Sequence, residues 1–236
     1  AGVFVTTSPF QALAKKKKEA LSLPSLMSDS LSAYKKLIKG ADKKAGLFTV
    51  YFNKEKGDLY FELPDSAFSK TYMIASRISS TSDGSDYVAG QMNVSPFAVR
   101  FSTDGRSVFM HEVTSINTID PKDPIRKSFE DNNLDPVLVG FKVAAKHGKN
   151  ILIDVTRFFC SNEKSISPLK NSSPIGKLLG MSDGIKGTFV SKASGIVFAK
   201  SFPQNIEIES MLSYQTTGII QKPYSVTVHR SIFALP

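Results

Sequence analysis

From Leu47 onward, apolar and polar side chains alternate with a period of two, and that period returns along the chain to its last residues. Residues 47–52 read as a strand, 54–58 as its turn and 59–63 as the returning strand. Pro64 stops that strand, and Asp65 offers a cap for a single turn before Phe68. Residues 71–78 predict the next strand, with Tyr72, Ile74 and Ser76 on one side and Met73, Ala75 and Arg77 on the other; 79–85 read as loop. A second hairpin joins 97–101 to 107–113 through Thr103-Asp104-Gly105-Arg106, where Asp-Gly supplies the positive φ of a tight turn. Residues 137–145 and 150–155 form a third around His147-Gly148-Lys149. Residues 188–190, 195–201, 206–215 and 224–235 complete the strands, the last two as a long hairpin around Thr217-Gly218.

Helical spacing is scarce. Leu31, Tyr34, Leu37 and Ile38 recur at i, i+3 and i+4, with Ser28-Asp29-Ser30 as N-cap candidates and Gly40 at the C-cap position, which predicts one helix over 31–39. Residues 125–129 allow one turn, and Asp154 or Thr156 is placed to cap another. Residues 161–187 read as a long loop with an apolar knot at Ile175, Leu178, Leu179 and Met181. Loops of this length are functional or without fixed structure. The fold class is therefore α+β, mainly β: antiparallel sheet built from consecutive hairpins, a short N-terminal helix and few other helices. The segments are a basic arm over 1–27, a helical lead-in over 28–46 and a β-rich domain over 47–236.

Charge changes this picture little. The net charge is +9, but nine lysines against three acids lie between Ala1 and Gly46, so six of the nine charges sit in the first fifth of the chain. A basic arm is not a basic groove, which argues against a nucleic-acid partner. No apolar run approaches the roughly 20 residues that span a bilayer as a helix. Ala12-Leu13-Ala14 before Lys15 is either the end of an export signal or part of an untidy arm.

The chemistry-bearing residues are few. His111-Glu112 begins the H-E-x-x-H pattern of zinc proteases, but Ser115 stands where the second histidine belongs, and the period places His111 in a strand. His147 reads as a hydrophilic turn residue, His229 as a sheet residue and Cys160, the single cysteine, as a small buried apolar residue. Asp83 and Asp86 lack the ligand ladder of a calcium loop. No phosphate loop or nucleophile elbow is present. The sequence thus assigns no catalytic residue and no metal ligand, and leaves the binding residues unknown.

Several blocks, in order, carry a resemblance. They are Tyr34-Lys35-Lys36-Leu37-Ile38-Lys39-Gly40, Gly46-Leu47-Phe48-Thr49-Val50, Leu59-Tyr60-Phe61-Glu62-Leu63-Pro64-Asp65-Ser66, Met73-Ile74-Ala75-Ser76-Arg77-Ile78 and Tyr87-Val88-Ala89-Gly90-Gln91. Val99-Arg100-Phe101, Asp135-Pro136-Val137-Leu138, Ile153-Asp154-Val155-Thr156, Ser201-Phe202-Pro203-Gln204-Asn205 and Val226-Thr227-Val228-His229-Arg230-Ser231 follow. Together they resemble two N-terminal domains of unknown function in large exported bacterial zinc-dependent metalloproteases. The resemblance implies a periplasmic or cell-envelope location and a metzincin-like catalytic domain downstream as partner. Zinc is implied for the parent, with no cofactor in this chain. The alternative expectation is a free-standing envelope module that binds peptide or glycan.

Overall fold

The computed structural model describes residues 31–84, 87–114, 120, 122–169, 187–217 and 221–236. Twelve strands form one antiparallel sheet: β1 (Asp42–Lys44), β2 (Thr49–Asn53), β3 (Asp58–Leu63), β4 (Thr71–Thr81), β5 (Met92–Thr103), β6 (Ser107–Glu112), β7 (Val137–His147), β8 (Asn150–Asp154), β9 (Gly187–Phe189), β10 (Gly195–Ser201), β11 (Asn205–Thr216) and β12 (Pro223–Ala234). Their order is β1-β2-β3-β8-β7-β6-β5-β4-β12-β11-β10, with β9 paired to β11. The described helices are α1 over 31–37, α2 (Arg126–Asn132), α3 (Thr156–Phe159) and two 3-10 turns. A mainly β, antiparallel fold built of hairpins is what the alternation predicts.

The sheet curls because one of its faces is almost entirely apolar. Phe48, Val50, Phe61, Ile74, Val99, Val108, Ile153, Ile208 and Ile232 come from across the strand order yet share one core. α3 lies inside that curl: Phe158 and Phe159 pack edge-on to each other, and Phe159 also meets Phe61. The rolled ends meet where Leu47 N–H donates to Phe202 O at 2.7 Å and Ser201 Oγ donates to Phe48 O at 2.7 Å. Gly46 permits this approach. A Cβ there would stand 2.5 Å from Phe202 O and 2.5 Å from Ser201 Oγ.

β3 is buried on both faces. Leu59, Phe61 and Leu63 face the inner core. On the other face α1 covers the sheet, with Tyr34 and the partly buried Leu37 and Ile38 against Tyr51, Tyr60, Ala145 and Leu152. Burial of side chains this size stabilises by roughly 1.5–3 kcal/mol each, which holds a helix too short to stand alone. β1 extends the sheet as a lysine-bearing edge strand, which discourages further pairing.

Several local expectations change. Residues 79–81 are strand, not loop, because β12 supplies ladder partners to Ser80 and Thr81. β5 begins at Met92 and passes through Pro96, where the register against β4 shifts between Ile74 and Ser76; a bulge spares the ladder an N–H that proline lacks. The turn after Pro64 forms without a side-chain cap from Asp65. Asp154 Oδ1 accepts from Thr156 N–H at 2.9 Å, and Thr156 Oγ1 instead accepts from Leu59 N–H. The apolar knot at 175–181 and the turn residue Gly218 lie outside the described residues, but the start of the long loop is part of the core: Ile166 is wholly buried.

Candidate functional site

The three histidines do not converge. His111 is half-buried on β6, with Nε2 at 2.8 Å from Ser102 Oγ and Nδ1 at 3.0 Å from Asp135 O. His147 ends β7, ten residues beyond the Val137 that pairs with His111. His229 lies on β12, across from Arg77 of β4. Ser115 and Asp86 lie outside the described residues, and Asp83 is ion-paired with Lys222 at 2.6 Å. Among the described residues no group of three His, Cys, Asp or Glu side chains is arranged to hold a metal ion.

His147 is more than a turn residue. Its Nδ1 lies 2.9 Å from Glu62 Oε1, and its ring stacks on Tyr34 at 4.5 Å between centroids. Glu62 is buried yet fully engaged: Asn150 Nδ2 donates to Oε1 at 2.9 Å, while the Tyr51 and Tyr34 hydroxyls donate to Oε2 at 2.8 and 3.1 Å. Burial alone would raise the Glu62 carboxyl, but hydrogen bonds from Asn150, His147, Tyr51 and Tyr34 outweigh it and hold the group below the usual carboxylate range. Burial, joined by Tyr34 and Glu62, pushes the Tyr51 phenol far up. Glu62 is on the face that α1 covers, and that packing makes it interior.

A second network lies on the same outer face of the sheet, on β11 and β12. Glu207 Oε2 is 2.5 Å from His229 Nε2 and accepts from Ser231 Oγ at 2.6 Å, Glu207 Oε1 accepts from Asn205, and His229 Nδ1 is 3.6 Å from Glu209 Oε2. Glu207 bonds the imidazole and the Ser231 hydroxyl directly, while Glu209 stands farther off, beyond hydrogen-bonding distance.

One concave feature among the described residues is a cleft of about 460 Å³ lined by Val139, Gly140, Phe141, Lys142, Asp154, Arg157, Phe158, Ser161 and Glu163. It opens because β7 changes partner. Up to Lys142 it pairs with β6, and from Val143 it pairs with β8. The residues before that switch therefore have no strand on their β8 side among the described residues. Two cations and two carboxylates ring an apolar floor, a composition suited to an extended polar ligand lying along a strand edge.

Residues 90–236 match a domain of unknown function, DUF5117, and residues 31–81 match a second, DUF5118. The chain belongs to the DUF5117 family. No curated protein and no solved structure matches it. The boundary between the two matches falls between β4 and β5, yet the DUF5118 strand β4 is inserted between β5 and β12 of the DUF5117 segment, and its β3 pairs with β8. Two units of sequence thus build one sheet. No helix among the described residues is long and apolar enough to cross a membrane.

Proposed function

We propose that this chain is a non-catalytic accessory region of an exported zinc-dependent metalloprotease, and that it packs against or gates a downstream catalytic domain. The observation that carries this reading is the ordered series of resembling blocks from Tyr34 to Ser231. The separate placement of the histidines is consistent with it, since each imidazole is already committed to its own neighbours. In this reading zinc belongs to the parent enzyme, and the protein works in the periplasm or cell envelope.

The test compares the full polypeptide with one lacking residues 31–236, and with this chain alone. The expected result is zinc and peptide hydrolysis in the full polypeptide, altered rate or substrate-size preference after the deletion, and neither stoichiometric zinc nor proteolysis in the isolated chain. Tight one-to-one zinc binding or peptide cleavage by the isolated chain rejects the reading.

The cleft beside β7 supports a second reading, a module that binds an extended peptide or glycan. Lys142, Arg157, Asp154 and Glu163 all line it, beside the stretch of β7 that has no β8 partner. Charge reversal at Arg157, which weakens ligand capture without changing folding, would favour it. Unchanged capture would remove the cleft from consideration.

A further inference from the structure

The cleft beside β7 lies off the edge of that strand and not on one of its faces. A hollow on a single face is lined by alternate residues. Here Val139, Gly140, Phe141 and Lys142 line it in succession. Val139 and Phe141 pair with Met110 and Val108 and turn to the inner core, so Gly140 and Lys142 belong to the outer face. The remaining lining comes from Asp154 at the end of β8, from Arg157 and Phe158 of α3, and from Ser161 and Glu163 beyond it.

Pairing assigns the direction of the backbone along this edge. Val143 N–H donates to Arg106 O, so Val143 turns its backbone toward β6. Backbone direction alternates along a strand, and the register against β6 is unbroken from Val139 to Lys142. Gly140 therefore turns its N–H and C=O away from β6, toward the cleft. No strand among the described residues pairs with β7 at Gly140 on that side. Gly140 is exposed and its φ is not positive. A Cβ there would meet only the Phe109 ring, at 3.4 Å, which is an ordinary contact. Neither backbone conformation nor crowding within the chain requires a glycine here. A glycine inside a strand often marks a place where another backbone comes close.

The charges around the cleft are unequally engaged. Asp154 Oδ1 accepts from Thr156 N–H at 2.9 Å, and Glu163 Oε1 accepts from Ser165 N–H and Oγ at 3.5 and 3.4 Å. Lys142 and Arg157 are exposed, and neither has an ion pair or hydrogen bond among the described residues. Phe141 and Phe158 supply the apolar part, with ring centroids 6.0 Å apart and planes edge-on. The chain beyond Glu163 soon belongs to another cluster. Tyr87 Oη donates to Pro168 O at 2.5 Å, and Leu169 packs with Ile78, Leu212 and Tyr214 of β4 and β11.

We propose that the cleft takes an acidic peptide segment in extended conformation, which pairs its backbone with Gly140 and sets a side-chain carboxylate within reach of Lys142 and Arg157. The inference rests on the reading of the cleft as a binding site, and goes beyond it by choosing peptide over glycan. A glycan has no alternating N–H and C=O groups to match a strand edge. Main-chain pairing supplies affinity, and the two free cations select acidic sequence.

The test uses an end-capped, fluorescently labelled peptide of alternating valine and glutamate. The comparison probes are the same peptide with lysine for glutamate, the same peptide with every amide N-methylated, and a chito-oligosaccharide. Fluorescence anisotropy should show saturable binding of the acidic peptide. N-methylation should weaken it about tenfold or more, the effect of losing hydrogen bonds to the strand. Arg157→Glu and Lys142→Glu, at exposed sites that leave the core untouched, should each weaken it about fivefold or more. Hydrogen exchange at the Gly140 amide, followed by NMR, should slow with the acidic peptide and not with the lysine peptide. Equal binding of the N-methylated peptide, or unchanged exchange at Gly140, overturns the proposal. Capture of the oligosaccharide with the peptides inert also overturns it, while leaving the cleft a binding site. Capture of neither removes the binding reading as well.

Discussion

Glu62 shows what one residue does in this fold. Its carboxylate receives four hydrogen bonds, and those from Tyr34, Tyr51 and Asn150 would leave buried or half-buried donors unmet if the acceptor were lost, whereas the exposed His147 would turn to water. An orphaned buried donor costs about 1–3 kcal/mol, so Glu62→Leu should destabilise by roughly 3 kcal/mol or more, read as a lower urea midpoint with an unchanged slope. Because the folded carboxyl is held below its unfolded value, its contribution is complete above the unfolded pKa near 4.3 and is lost as pH falls through the folded value. Unfolding free energy should therefore decline below about pH 4.5, and the decline should be shallower in Glu62→Gln. His147 is the nearest example of a residue that sequence could not place. Its position beside Gly148 predicts a solvated turn, and only the stacking of Tyr34 and the reach to Glu62 reveal its structural part.

At the scale of elements, pairing decided what propensity left open. The hairpin around Gly105 was legible because Asp-Gly fixes the turn and alternation fixes the faces; Gly105 has a φ of 82°. β1 and the first half of β5 were not, since Asp42-Lys43-Lys44 carries no apolar face and Pro96 argues against a strand. Both exist because a neighbouring strand offers a ladder. The contact between the rolled ends belongs to this scale as well. Gly46→Ala would press a methyl group into Phe202 O and Ser201 Oγ. Backbone cannot yield as a flexible side chain does, so a loss of about 1–3 kcal/mol is expected, measurable by thermal unfolding. Gly57→Ala gives a useful contrast: its Cβ meets nothing within 4 Å, and its cost should come only from its φ of 75°.

For the whole molecule, the sheet treats the DUF5118 and DUF5117 segments as one. β4 is flanked by β5 and β12 along nearly its full length, so removing residues 31–81 would expose two long strand edges and the apolar core behind them. Residues 90–236 expressed alone should aggregate or lack a cooperative urea transition, and co-expression with 31–81 should restore one. The intact chain should unfold in a single transition; two separated transitions would show the segments to be independent. The sequence by itself determined the strand-rich class, the antiparallel order of hairpins and the position of the first helix, because alternation, turn glycines and helical spacing are local properties. It also exposed Ser115 in place of a second zinc-binding histidine. Tertiary structure alone decided that the sheet rolls on itself, that β4 crosses the family boundary, and that Glu62 and Arg230 are interior. Those outcomes depend on which surfaces meet across long stretches of chain, and burial by a distant element leaves no mark on the spacing of its neighbours.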